Sequence, residues 1–402
     1  MKTGVNVFDL AQCVSCLPRT LYRQGGFQEG DAALTQLGAP DGLDASGMTL
    51  VIQVYPPASY SRPSPAVTLA TDLFGTELTR IFAAWTSQYD HCAGSLLMQI
   101  PAGCIHRSVI YIRTGPGMQV LYETIRPNDR PYVPYIDPIC TALPRAPMSD
   151  DAVVDLYVGS AGTHNYGHWL VDDLPRVLAA EALRGGRPVR LWLDRGSPAI
   201  DQVRVQSVVA LLGHGIEIRF LEPTHVYDFV RLNYVTPVSY HPTLKNPAAI
   251  QAVRSRMPGP AGTGPRRLFV LRSPGARALL NETAIGSLLA SHGFTAVDPA
   301  KLPFAKQAGL FADAELIVGC MGAAMTNTLF APPGCRILHL APEGWLEPFY
   351  WDLAAVCGHG YGTCFGPPTD PHALPHLSDF SIDPAALQSA LTTLMATPVA
   401  PR

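Results

Sequence analysis

A histidine and an aspartate four residues apart on a helix share a face, and His168 and Asp172 have that spacing within the stretch THNYGHWLVDDLPR, residues 163–176. A carboxylate beside an imidazole suits general-base chemistry, because burial raises its pKa toward neutrality and the neighbour orients it. A plainer reading is a helix N-terminus with an ordinary surface Asp pair, Asp173 projecting about 100° away from Asp172. A third takes His164, His168 and Asp172 as one zinc-binding face, although Gly167 weakens the helix at that point.

A second candidate is the loop Gly319-Cys320-Met321-Gly322, which follows an apolar run and precedes a helical pattern. Backbone N–H groups at such a helix start form an anion site, and glycine lets a ligand approach them closely. Arg272 ends another apolar run of the same series and would point into the same crevice, where its fork matches a phosphate. The plainer readings are tight packing of the loop and a solvated arginine. Cys13 and Cys16 form one C-x-x-C without a second pair at metal-site spacing, so free thiols are expected and no metal site is assigned. The chain has no Asp-x-Asp, no G-x-x-x-x-G-K-[ST] and no G-x-S-x-G. Kinase, ATPase and common serine hydrolase chemistry therefore lose their usual residues.

The elements that must hold these groups alternate in type. Val51 to Tyr55 reads as a strand, and 108–112 with 119–123 reads as a hairpin around Thr114-Gly115-Pro116-Gly117. Prolines at 128, 132, 135 and 139 then extend the chain. From 153 the pattern becomes strand (153–158), helix from Asn165 with Pro175 as a kink, strand (189–193), helix (200–212) and strand (216–221). After Pro258 to Pro265 a second series follows: strand 268–271, a helix capped by Asn281, strand 294–297, a helix after Pro303, strand 315–318, a helix to Phe330 and strand 336–340. Asp383 caps a last helix. The expected organisation is a strand-rich segment 1–150 joining a first domain 151–257, a linker 258–265, a second domain 266–380, and a C-terminal helical segment 381–402 packing back on the first.

Composition bounds the partners. The 402 residues suffice for two or three domains, and 47% hydrophobic with 15% charged residues excludes intrinsic disorder. The 35 glycines and 38 prolines make up about 18% of the chain, below the roughly 25–30% of low-complexity sequences. A formal charge of −3 argues against nucleic acid as a partner. Nine cysteines without a dense framework, no visible signal peptide and no run of ~18 apolar residues lead to the expectation of a soluble, cytoplasmic protein.

Four segments, NYGHWLVDDLPR (165–176), RRLFVLRS to ALLNE (266–282), PFAKQAGLFADAELIVG (303–319) and GAAMTNTLFAPPG (322–334), together resemble glycosyltransferase family 61 in order and approximate spacing. The resemblance implies an α/β fold of two Rossmann-like domains facing across a cleft (GT-B type), a nucleotide-sugar donor, inversion at the anomeric carbon, and neither metal nor cofactor. It implies a polysaccharide or glycolipid acceptor, and action at the inner face of a membrane, with peripheral association. On the acceptor side it marks His168 and Asp172; on the donor side it marks Arg272, Asn281, Glu282, Gln307, Gly322, Ala323 and Asn327. Two positions depart from the family: Met321 stands where a histidine is usual, and His339 where a glutamate is common, both expected to face the donor. In the implied mechanism Asp172 takes the acceptor proton, with His168 orienting it or serving as the alternative base. Arg272 and the helix starting near Gly322 hold the diphosphate. Met321 and His339 favour a catalytically silent nucleotide-sugar-binding protein as the alternative. A metal-dependent hydrolase using His164, His168 and Asp172 is the third reading.

Overall fold

The computed structural model describes residues 6–8, 49–70, 72–88, 91–114, 117–124, 143–148 and 152–398, apart from 243, 258, 260, 273, 274, 276, 346 and 371. Cys13 and Cys16, the Gly115-Pro116 tip and the prolines at 128, 132, 135 and 139 lie outside the described residues. The chain is a mixed α/β protein with sheets of parallel strands, and it divides into two compact units: Met1–Ala58 with His91–Tyr240, and Ser59–Asp90 with His241–Arg402.

In the first unit the expected alternation yields four mutually parallel strands, Glu217–Leu221, Val189–Asp194, Val154–Tyr157 and Arg231–Val235, side by side in that order. Two antiparallel strands, Ser95–Pro101 and Thr49–Tyr55, extend this sheet. The expected hairpin is present as Val109–Thr114 paired with Gly117–Leu121, within a second six-stranded sheet that also contains Gly103–His106 and Val226–Phe229. Leu96, Met98 and Ile100 of one sheet share a core with Ile105, Ile110, Ile112 and Phe229 of the other. Each such side chain contributes about 1.5–3 kcal/mol by leaving water.

The second unit holds six parallel strands in the order Thr295–Val297, Arg267–Val270, Leu316–Cys320, Arg336–Pro342, Gly360–Gly366 and Val67–Leu69. The central strand Leu316–Cys320, buried along its whole length, reads as an apolar run, whereas the edge strand Thr295–Val297 is largely exposed. Ile285 and Leu289 of helix Glu282–Ser291 and Leu387, Leu391 and Leu394 of helix Pro384–Ala396 cover the face that carries Leu338 and Leu340. On the opposite face His339 meets Tyr350 of helix Phe349–Cys357.

Three boundaries differ from those expected. Residues 59–90 build the second unit rather than the first, because Val67–Leu69 adds an edge strand and the side chains of Tyr60 and Arg62 reach Asp352 at 2.7 and 2.5 Å. The division falls after Tyr240, not at 258–265. Asn246 caps helix Pro247–Arg254, which packs on helix Phe349–Cys357. Within the supposed linker, the Gly262 and Gly264 N–H groups each donate to Asp313 at 2.8 Å, which anchors them inside the second unit. The C-terminal helix packs on the second unit's own sheet, not on the first unit, because its leucine stripe completes that sheet's core.

Asp352 is fully buried, and Lys245 Nζ lies 3.1 Å from its second oxygen. Removing one partner of such a cluster leaves the others as uncompensated buried charge. Asp352→Ala is expected to lower unfolding free energy by about 3–5 kcal/mol in denaturant titration, and a change below about 1 kcal/mol would contradict this role.

Candidate active site

The first unit's site grows from the end of strand Val154–Tyr157. Asn165 accepts from the N–H groups of Gly167 and His168 at 2.8 and 3.4 Å, starting a helical turn at Tyr166. The turn then widens into π geometry over Trp169–Asp173 and tightens to 3-10 over Leu174–Leu178. Pro175 explains the irregularity, since it has no N–H for the ladder and restarts the helix as its early residue. Trp169, Leu170, Val171, Leu174 and Val177 are buried, which leaves His168 and Asp172 partly exposed at the site.

His168 Nδ1 lies 2.6 Å from Asp172 Oδ2, with both side chains partly exposed. The Ser239 hydroxyl donates to the other oxygen, Asp172 Oδ1. A Cβ on Gly162 would lie 2.7 Å from His168 Cγ, so the absence of a side chain there admits the imidazole. The carboxylate thus faces two donors, and with Nδ1 as the donor the basic lone pair of His168 sits on Nε2.

Asp173 is not the surface residue expected. It is fully buried, 3.0 Å from Arg176 Nη1 and 3.2 Å from Ser160 Oγ. Arg176 is itself buried and donates to the carbonyls of Val235 (2.9 Å) and Gly159 (3.0 Å), with its guanidinium 4.7 Å from the Tyr234 ring centre. Burial pushes the Asp173 pKa up to about 6, against the opposing pull of Arg176, while the Asp172 charge adds to the rise.

The second unit's loop brings part of the expected donor set together. Arg272 Nη1 donates to the Met321 carbonyl at 3.1 Å, and a Cβ on Gly322 would lie 2.1 Å from that same nitrogen. A 3-10 helix, Ala323–Phe330, starts at this point, and its first N–H groups have no partner within the helix. Arg277, which sequence reasoning missed, approaches the same place. Its guanidinium stacks 4.2 Å from the Trp345 ring centre, its buried Nε has no partner among the described residues, and its φ of 65° is left-handed. Burial lowers its pKa and the like charge of Arg272 lowers it further. The arginine four residues before Asn281 was a visible signal. Cys320 is inert as a thiol, since burial pushes its pKa up to about 12.

Other marked residues have internal roles. Asn281 does not cap its helix through its side chain; it exchanges two hydrogen bonds with Ile382, at 2.7 and 3.1 Å. Gln307 and Asn327 bond each other at 3.0 Å, and Gln307 also donates to Leu302 O at 2.9 Å. Glu282 and Ala323 are partly exposed at the starts of their helices. Met321 and His339 do not present side chains to solvent, being 2% and 1% exposed. His339 lies between Tyr350 and Tyr361, and burial holds its pKa down to about 3, so it is neutral. His164 lies apart from the dyad pairing, lining a cavity with Asp194. Among the described residues no three His, Cys, Asp or Glu gather as metal ligands, and no helix is long and apolar enough to cross a membrane.

The α/β architecture and the two clusters can be set beside known proteins. Residues 166–338 match the family model described as Glycosyltransferase 61, so the resemblance to glycosyltransferase family 61 is shown over the stretch that carries both clusters. No curated protein sequence matches the chain. Among solved structures, the dodecameric iron-containing heptosyltransferase TibC in complex with ADP-D-beta-D-heptose is similar at 10% identity, covering 71% of this chain and 83% of its own. The TM-score is 0.28.

The raised pKa of Asp173 fixes the sign of one pH effect. A carboxyl group titrating near 6 when folded and near 3.8 when unfolded binds an extra proton in the folded state between those values. Its contribution to stability is full below the unfolded value and is lost as pH rises through about 6. Urea titrations should therefore show a fall in stability between pH 4 and 6 that is absent in Asp173→Asn. Identical pH dependence in the two proteins would contradict the assignment.

Proposed function

We propose that the chain is an inverting, GT-B-type glycosyltransferase that moves a sugar from a nucleotide-sugar donor to a hydroxyl of a polysaccharide or glycolipid. The first unit is read as the acceptor side and the second as the donor side. The observation that carries this reading is the 2.6 Å contact between His168 Nδ1 and Asp172, which orients one base as direct displacement requires.

In this mechanism His168, the alternative base of the sequence reading, takes the proton, and Asp172 orients it. Asp172 receives Nδ1–H of His168 and the Ser239 hydroxyl, holds the ring and stabilises the imidazolium. His168 Nε2 takes the proton of the acceptor hydroxyl as its oxygen bonds to the anomeric carbon and the bond to the diphosphate breaks. Negative charge then grows on the leaving diphosphate. Arg272, Arg277 and the helix start at Gly322 stabilise it most at that moment. Met321 contributes its carbonyl, which holds Arg272, rather than its side chain. Buried Met321 and His339 act as packing residues in this scheme, so their departure from the family leaves the dyad and the arginines intact. Action on the cytoplasmic side, at a membrane surface, is proposed on the sequence reading alone.

Turnover with a panel of nucleotide sugars and calorimetry with nucleoside diphosphates test the scheme together. His168→Ala and Asp172→Asn should each lower turnover by about 10²–10⁴-fold with diphosphate affinity unchanged. Retention of more than a tenth of the activity would refute the dyad. Arg272→Ala should weaken diphosphate binding by about 10- to 150-fold, the range of roughly 1.5–3 kcal/mol for a charge-assisted hydrogen bond, while the nucleoside alone is little affected. Turnover should survive EDTA; loss on chelation, restored by manganese or zinc, would favour a metal-dependent reaction. Diphosphate binding without turnover for any donor would favour the silent binding protein.

A further inference from the structure

The first unit contains a cavity of about 290 Å³ outside the residues assigned so far. It lies beyond the carboxyl ends of the parallel strands Val154–Tyr157, Val189–Asp194 and Glu217–Leu221, where open α/β sheets take their ligands. Its size is at the small end of ligand pockets, which suits a single ring.

One wall is the tip of the hairpin between Gly103–His106 and Val109–Thr114. Two successive non-glycine residues there, Arg107 and Ser108, have left-handed φ values of 48° and 67°. Strained backbone of this kind persists only where its surroundings hold it. Here the clamp is Asp194: buried at the end of its strand, it accepts from Ser108 N and Ser108 Oγ, each at 3.1 Å, and from Tyr157 OH at 2.7 Å. The clamp projects Arg107 and His106 into the cavity, and His106 Nδ1 is fixed at 2.9 Å on the His225 carbonyl.

The charge of the wall follows from these bonds. Asp194 is saturated with donors, and burial raises its pKa. Glu222 is neutralised by Arg195 at 2.9 Å. Arg107 has only a 3.5 Å contact with the Pro223 carbonyl and forms no ion pair among the described residues. His164, also in the wall, begins the loop that leads into His168 one turn later. The cavity therefore combines an uncompensated guanidinium, several imidazoles and backbone carbonyls in a ring-sized space.

We infer that this cavity binds one sugar unit of the acceptor that bears a negative charge, a carboxylate or a phosphate, with Arg107 as the partner of the anion. The inference rests on the transferase reading, and it deepens that reading by giving the acceptor a chemical class.

The test is calorimetry or ligand-observed NMR on the full chain with glucuronate, glucose 6-phosphate, glucose and inorganic phosphate. One or both charged sugars should bind at least about tenfold more tightly than glucose and than inorganic phosphate, consistent with a charge-assisted contact added to ring contacts. The stronger of the two distinguishes carboxylate from phosphate. Arg107→Gly and Arg107→Asn both suit the left-handed backbone, so they should fold normally, abolish that preference, and leave nucleoside diphosphate affinity unchanged. Equal affinity for glucose, equal affinity for inorganic phosphate, or a preference that persists in both variants would overturn the inference. These results are separable from the donor reading, which fails if nucleoside diphosphates do not bind or if Arg272→Ala leaves their affinity unaltered.

Discussion

The geometry of the first unit's site depends on one buried guanidinium. Arg176 joins the Gly159 carbonyl beyond one strand, the Val235 carbonyl at the end of its neighbour, and the carboxylate of Asp173 on the irregular helix. A guanidinium can meet three acceptors in one plane, which the point charge of a lysine cannot do. Desolvating Arg176 and Asp173 is costly; the bonds from Nε and Nη1 offset part of that cost, while the buried Nη2 has no partner among the described residues. The result is a helix whose position against the sheet ends is set by directional bonds as well as by apolar packing. Asp172 and His168 sit on that helix about one and two turns before the arginine, so their placement follows from it.

The helix is held from its other side as well. Tyr55 OH donates to the Pro175 carbonyl at 2.6 Å, and Trp169 Nε1 donates to Ser207 Oγ at 2.8 Å. Pro175 breaks the regular ladder, and the π turn before it accommodates the slip. In the second unit a smaller version of the same principle operates. The Met321 carbonyl, rather than its side chain, holds Arg272, and glycine at 322 leaves the guanidinium its space. A residue type can therefore change at 321 without altering the feature that positions the arginine.

Much of this was legible in the sequence, for definite reasons. The second series of strands and helices is close to its expected limits, since its buried inner strands appear as apolar runs between clear breakers. His168 and Asp172 were visible as a pair because four-residue spacing survives the change of helix type. The burial of Asp173 was not visible, because the assumption of 100° per residue fails in a π turn and because its partner's burial is a tertiary fact. Asn281, Gln307 and Asn327 show the converse: amides that suit a ligand by type are engaged with backbone or with each other. The contribution of residues 59–90 was also hidden, since Val67–Leu69 pairs with Gly360–Gly366, near the opposite end of the chain. Period and propensity carry no information about such a pairing.

A single oriented base and direct departure of the diphosphate have a stereochemical signature. With a nucleotide sugar that supports turnover, ¹H NMR of the anomeric proton during the first minutes of reaction reads the configuration of the product before it equilibrates. Inversion relative to the donor is the expected result, because the proposed mechanism is one displacement with no covalent glycosyl intermediate. A product that retains the donor's configuration would contradict the His168–Asp172 dyad as the catalytic unit.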